Sequence, residues 1–135
     1  MVILFIFSYR KVVPLNIIDE EIGGKKFTLE IASNEKSREL GLGKRNSLGD
    51  NEGMIFVFDK LDNYGFWMKD THFPLDILWL NENCTVVGKA TMLPESFPKA
   101  FYPDFPAKYA IEFPIGSALN IKEGDAISCK EIAKL

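Results

Sequence analysis

Short strand-like segments separated by turn residues constrain the fold of this chain more than any other feature. Two arms between residues 17 and 31 flank Gly23-Gly24, a dipeptide that suits the positive φ angles of a tight hairpin turn. The second arm alternates apolar with polar residues, which is the period of a half-buried strand. Strand character recurs in six further segments, namely 54–58, 65–69, 75–80, 85–92, 109–113 and 126–132.

A single short helix interrupts this pattern and is predicted near residues 34–40. Ser33 can cap its start, and Gly41 can take the left-handed conformation that ends it. Many short strands with one short helix favour a mainly β fold, either a small β-barrel or a sandwich, over βαβ units. Because 135 residues suffice for one core, we expect residues 16–135 to form a single β-rich domain.

The N-terminus has an unusual apolar segment, residues 2–7, followed by Arg10-Lys11. It is too short to span a bilayer, and its charges follow the apolar stretch, whereas those of a signal peptide precede it. Two interpretations stay open. Residues 1–15 are either an apolar stub, the remnant of a membrane anchor or signal, or they contain a first β-strand. No other stretch of the sequence could cross a bilayer.

Charge and composition exclude several classes of function. A net charge of -3, with no basic run longer than two residues, argues against nucleic acid as a partner. One histidine and two cysteines, Cys84 and Cys129, argue against a dedicated metal site, and we predict no cofactor. In an oxidising compartment the two thiols could form a disulfide, but two free thiols are the simpler interpretation.

Two acidic residues have apolar neighbours in the sequence. Asp76 interrupts an apolar run, and Glu112 lies between Ile111 and Phe113. A buried carboxylate is costly unless it is paired or hydrogen-bonded. We therefore predict that Asp76 is buried and contacts at least one of three cations, Arg38, Arg45 and Lys69. Such a cluster is either a structural ion pair or a cleft whose charges hold a polar ligand.

The stretch GFWMKDTHFPLD contains His72, the only histidine. A catalytic triad needs a nucleophile and an orienting group beside its base, and neither is recognisable near His72. We predict that His72 is a loop residue. In strand phase, Trp67 and Lys69 share one face of this segment.

A proline-rich loop between Leu93 and Pro106 contains four aromatic residues, one of them Tyr102. Loops longer than about 12 residues are uncommon in compact domains unless they bind something or form a lid. The alternative is that the rings close an open barrel end. We predict an ordered, partly exposed loop in which Tyr102 lines a groove.

Ordered motifs over roughly residues 22–127 resemble the bacterial and archaeal family called domain of unknown function 192. The matching pieces are residues 38–42 with Arg45, 53–58, 66–71, 74–77, 102–103, 107–112 and 124–125. Three positions depart from the family pattern. Gly43 stands where Met is usual, Asp70 where Asn is usual, and Cys84 where Gly is usual.

The resemblance implies a compact β-rich domain, often exported or membrane-anchored, and it implies no reaction. Our leading hypothesis is a non-catalytic module at the cell envelope that binds a small polar ligand or an envelope protein. The candidate ligand-binding residues are Arg38, Arg45, Trp67, Lys69, Asp76, Tyr102 and Glu112.

Two other functions remain open, a small hydrolase with Asp76 and Glu112 as an acid–base pair and a purely structural or assembly factor. The expected location is extracytoplasmic or membrane-anchored, or cytoplasmic if the N-terminus is complete as written.

Overall fold

The computed structural model describes residues 16–135, so the predicted N-terminal stub lies outside the described residues. It contains six strands and one α-helix. In chain order the elements are β1 (Ile17–Ile22), β2 (Lys25–Ala32), α1 (Glu35–Leu40), β3 (Glu52–Asp62), β4 (Leu75–Leu80), β5 (Val86–Met92) and β6 (Ala107–Pro114). Short 3-10 turns lie at Pro94–Ser96, between β5 and β6, and at Ile132–Lys134, after β6. The predicted mainly β class with one short helix is confirmed.

The strands form one open mixed sheet in the order β1-β2-β3-β6-β4-β5. The barrel alternative is therefore wrong, because β1 and β5 remain as separate edges. Only β2 and β3 pair in parallel, and the other neighbours are antiparallel. A parallel pair requires a crossover connection, and α1 with the loop after it supplies one. One βαβ-like unit thus occurs where none was expected.

Both faces of the sheet are covered by apolar clusters. The Phe113 cluster contains Ile55, and the Phe56 cluster contains the neighbouring Met54 and Phe56. Successive side chains of a strand point to opposite faces, so the two clusters lie on opposite sides of the sheet. This explains why β4 is buried along its whole length.

Two predicted strands do not join the sheet. In the segment 65–69 only Phe66 forms a bridge, with Phe101, and in 126–132 only Ala126 does, with Thr85. Phe66 and Met68 are buried in the Phe56 cluster while Trp67 and Lys69 are exposed, so the predicted alternation is correct. The segment packs on a face of the sheet rather than along an edge, and hence forms no ladder.

The helix begins one residue later than predicted, with Asn34 rather than Ser33 as its cap. The Asn34 side chain accepts a 2.8 Å hydrogen bond from the Ser37 amide, and the Ser37 hydroxyl accepts one from the Asn34 amide. Gly41 ends the helix with a φ of 52°, as its position predicted. This helix is too short to be stable alone and depends on its contacts with the sheet.

A disulfide joins Cys84 to Cys129, with 5.9 Å between the Cα atoms. The expectation of two free thiols is therefore wrong. The bond ties the turn before β5 to the segment that follows the last strand. Among the helices of residues 16–135, none is long and apolar enough to cross a membrane.

Candidate functional site

A cavity of about 260 Å³ opens on the side of the sheet that carries the Phe56 cluster. Its floor is made by Phe56 and Phe58 of β3 and by Glu112 of β6. Helix α1 and the turn after it form one wall, and residues 64–71 form the other. The chain crosses the floor closely at Gly41, where an added Cβ would stand 3.4 Å from the Phe56 ring.

Glu112 is the most unusual group in this cavity. It is only 5% exposed, and one carboxyl oxygen lies 3.8 Å from the point where a Cβ on Gly41 would stand. Among the described residues its carboxyl has no hydrogen-bond partner, and burial raises its pKa to about 8. At neutral pH the group is therefore mostly an uncharged carboxylic acid.

Arg38 reaches the cavity from helix α1. Its guanidinium carbon lies 5.3 Å from the centre of the Phe58 ring, and its Nη1 donates a 3.0 Å hydrogen bond to the Val57 carbonyl. A guanidinium has five N–H groups, so most of its donors are not used by this bond. Phe58 lies two residues, about 6.6 Å, along β3 from Phe56. Phe56 lies beside Gly41 at the end of the cavity that holds Glu112.

Lys69 and Trp67 line the cavity from the opposite wall. The Lys69 ammonium lies 5.9 Å from the Trp67 ring centre, a distance suited to a weak cation–π contact. Trp67 is 48% exposed, and its ring lies 5.2 Å from that of Phe97 in the proline-rich loop. Of the candidate ligand-binding residues, Arg38, Trp67, Lys69 and Glu112 therefore line one cavity.

Asp76 lies elsewhere. It is 4% exposed, as predicted, but its oxygens accept hydrogen bonds from the amides of Gly116 and Ala118, at 2.9 and 3.0 Å, and from the Thr91 hydroxyl at 2.8 Å. The predicted contact with Arg38, Arg45 or Lys69 is wrong, because three neutral donors already satisfy this carboxylate. Asp76 stabilises the turn after β6.

The proposed acid–base pair of Asp76 and Glu112 is also excluded by the sheet. In the register of β4 with β6, Glu112 lies opposite Ile77, while Asp76 lies opposite Phe113. The two carboxylates therefore point to opposite faces of the sheet, Glu112 towards the Phe56 cluster and Asp76 towards the Phe113 cluster. They cannot act on the same substrate bond.

Arg45 and Tyr102 do not line the cavity. Arg45 forms an ion pair with Glu30 of β2. Tyr102 is 63% exposed and covers Gly65, where an added Cβ would come within 2.6 Å of its ring. The loop is partly exposed as predicted, and Tyr102, which was predicted to line a groove, does not line this cavity. His72 is exposed in a loop.

Sequence reasoning missed most of the aromatic wall. Tyr64 stacks on Phe58 at 3.6 Å, and Phe66 contacts Phe56 edge-to-face at 4.8 Å. Phe56 and Phe58 are two residues apart in β3, so their side chains point to the same face of the sheet, and the same holds for Ala110 and Glu112 in β6. This spacing was the signal in the sequence that could have placed these residues on one face. No three metal-ligating side chains are grouped together within residues 16–135.

Comparison with known proteins shows which family the sequence matches. The sequence matches the family model for domain of unknown function 192, described as an uncharacterized ACR, over residues 18–129. The chain belongs to this family. No curated protein shows significant similarity to it.

Two solved structures resemble this member of the domain of unknown function 192 family. A protein of unknown function from Novosphingobium aromaticivorans DSM 12444 is 30% identical with a TM-score of 0.74, over 87% of this chain and 89% of its own. A proposed transcription regulator from Sinorhizobium meliloti 1021 is 26% identical with a TM-score of 0.72, over 83% of this chain and 90% of its own. Neither description names a ligand.

Backbone geometry explains two departures from the usual pattern of domain of unknown function 192. Asp70 and Cys84 both have positive φ angles, 54° and 57°. Asn and Asp tolerate this conformation better than other side chains, so Asp70 preserves what the usual Asn provides. Cys84 lies in a turn where Gly is usual, and its positive φ is one that Gly adopts more readily than Cys.

Proposed function

We propose that this chain is a non-catalytic binding module that holds a small ligand in the Glu112 cavity, and that it acts at the cell envelope. The observation that carries the proposal is the Glu112 carboxyl, which lines the cavity, is only 5% exposed and has no hydrogen-bond partner among residues 16–135. A carboxyl held in a largely apolar site favours a ligand that offers it a hydrogen bond, because a polar group with few partners gains most from a new one.

The shape and lining of the cavity support a small ligand. Its volume of about 260 Å³ is just below the range of about 300–1,000 Å³ that is typical of ligand pockets. Five aromatic residues and two leucines line it, and a few charged or acidic groups, Arg38, Glu39, Lys69 and Glu112, converge on it. This combination of an apolar wall and a few placed polar groups is typical of binding sites.

The lack of a nucleophile in the lining favours binding over catalysis. Among residues 16–135, the cavity lining includes no serine, cysteine or histidine, and the Thr71 hydroxyl donates to the Lys69 carbonyl. The second carboxylate of the hydrolase hypothesis lies on the other face of the sheet. Binding is therefore the function that the geometry favours.

Location at the envelope is supported by the disulfide, because such bonds persist in oxidising compartments. The Sinorhizobium protein is described as a proposed transcription regulator, but a net charge of -3 argues against nucleic acid as a partner of this chain. A protein partner is the second candidate function, and the exposed rings of Trp67 and Phe97 beside the cavity favour it.

Metabolite capture by the full chain tests the proposal. The protein is incubated with a metabolite extract, and retained compounds are identified by native mass spectrometry. We expect compounds on the wild type that are lost from Glu112→Leu, which keeps the volume but removes the carboxyl. The control is Glu82→Leu in an exposed turn. Retention of the same compounds by all three proteins, or of none by the wild type, would contradict the proposal.

A further inference from the structure

We infer that the ligand of the Glu112 cavity is a small ring-bearing organic anion, such as a carboxylate, attracted by Arg38 and Lys69 and accepting a hydrogen bond from the Glu112 carboxyl. This inference rests on the proposed function and adds the chemical class of the ligand. The inference follows from the charged side chains around the cavity, from the protonated carboxyl of Glu112 on its floor, and from the cavity's volume and aromatic lining.

The two cations of the cavity have no anionic partner of their own. Neither Arg38 nor Lys69 takes part in an ion pair within residues 16–135, whereas Arg45 is paired with Glu30. Arg38 is half-buried and is held over Phe58 by its bond to the Val57 carbonyl, so its remaining N–H groups are positioned in advance. A guanidinium held in this way favours a planar oxyanion.

Glu112 assists an anion only in its neutral form. The charged or titratable groups around it are Arg38 and Glu39 of α1, Tyr64 and Lys69 of the opposite wall, and, one strand beyond β3, Glu30 of β2 with its partner Arg45 from the loop after α1. From β3 and β4 it faces only apolar residues, Met54 and Ile77. Burial raises the pKa of Glu112 to about 8, so at neutral pH it can donate a hydrogen bond.

A cationic ligand would be disfavoured by the same arrangement. It would meet two positive side chains, Arg38 and Lys69, against one acidic side chain, Glu39, and Glu112 would first have to lose its proton. An anion meets attraction from Arg38 and Lys69 and a donor on the floor. The charged groups at the cavity therefore favour an anionic ligand over a cationic one.

The body of the ligand is limited by the aromatic wall. An engineered cavity of about 150 Å³ holds benzene, so about 260 Å³ accommodates one six-membered ring with a polar head group. The Phe56–Phe66 and Phe58–Tyr64 pairs present ring faces and edges suited to such a body.

Three probes with the same ring and different charge test this inference on the full chain. Benzoate, benzamide and benzamidine carry charges of about -1, 0 and +1 near pH 7. Their binding is followed by NMR through the backbone amides of Gly41 and Thr71, which line the cavity. We expect benzoate to bind at least about tenfold more tightly than benzamide, and benzamidine to bind most weakly.

Variants separate the roles of the two polar groups. Arg38→Gln should abolish the preference for benzoate, while Arg45→Gln, which alters the paired arginine, should retain it. Benzoate affinity of the wild type should fall about tenfold between about pH 7 and pH 9, as Glu112 ionises. Glu112→Gln stays neutral and should bind benzoate with little change over the same range.

Each outcome has a distinct meaning. Tighter binding of benzamide or benzamidine in the cavity would overturn the anion class and leave the proposed binding function standing. Benzoate binding by the wild type that does not change with pH would overturn the role of the Glu112 proton. If none of the three probes shifts the cavity amides, both the inference and the proposed function fail.

Discussion

Asp76 and Glu112 show that burial alone does not define the role of a carboxylate. Both stand in apolar segments and both are buried, as the sequence predicted for Asp76. Asp76 accepts three hydrogen bonds, two of them from amides 40 and 42 positions later in the chain, whereas the Glu112 carboxyl accepts none among the described residues. Sequence could not identify those amides, because they meet Asp76 only once β4 pairs with β6.

Removal of the Asp76 carboxylate should be strongly destabilising. Asp76→Ala leaves the amides of Gly116 and Ala118 without partners, and we expect a loss of about 3 kcal/mol in the free energy of unfolding. His72→Ala, in an exposed loop, should change it by less than about 0.5 kcal/mol. Urea unfolding measures both. Equal, small effects would show that the Asp76 bonds are not significant in solution.

At the scale of elements, the proline-rich loop is held on the sheet by backbone contacts. Phe66 and Phe101 exchange two hydrogen bonds of 2.8 and 2.9 Å, and the Asp104 amide donates to the Val87 carbonyl. Beside Val87, Gly88 of β5 lies so close to Pro103 that an added Cβ would stand 2.7 Å from the Pro103 Cα. The loop therefore depends on a glycine at this position.

Gly88→Ala should loosen the loop, because backbone atoms of Pro103 cannot move aside as a flexible side chain could. We expect a loss of about 1–3 kcal/mol in stability and faster amide hydrogen exchange in residues 97–106. Gly24→Ala is a useful control, since no atom lies within 4 Å of the added Cβ and its cost is limited to backbone strain at φ 81°. Unchanged exchange in the loop of Gly88→Ala would contradict the close packing.

Periodicity predicted the strands better than it predicted their partners. Four of the six segments predicted after the hairpin became strands, while 65–69 kept the right alternation and, like 126–132, formed no ladder. Alternation reports which side chains are buried, and burial against a sheet face produces the same pattern as burial within a sheet. The parallel pairing of β2 with β3 has no local signal, since it depends on where α1 packs.

For the whole molecule, the disulfide should contribute much of the stability. It closes a segment of 45 residues between Cys84 and Cys129 and thereby restricts the unfolded chain. We expect reduction to lower the free energy of unfolding by about 2–4 kcal/mol. Urea unfolding with and without reductant measures this, and Cys129→Ser should show no further loss on reduction. An unchanged wild type would mean that the bond is absent in solution.

The neutral carboxyl of Glu112 should make stability fall as pH rises. Its folded pKa of about 8 lies above the ordinary value of 4.5, so the folded state holds this proton more tightly than the unfolded state. This contribution is complete below about pH 4.5 and is lost as pH rises through about 8, at no more than about 1.4 kcal/mol per pH unit. Glu112→Gln should lack this slope in urea unfolding between about pH 5 and pH 9, and equal slopes in both proteins would contradict it.

The most direct measurement is an NMR titration of the Glu112 side-chain carboxyl carbon in the full chain, assigned by its loss in Glu112→Gln. A buried carboxyl without a protein partner should titrate near pH 8. Added benzoate should move this midpoint upward, because the bound anion favours the protonated form. A midpoint near the ordinary 4.5 would mean that Glu112 is solvated or partnered in solution, and the Glu112 cavity would then lose the observation on which its binding function rests.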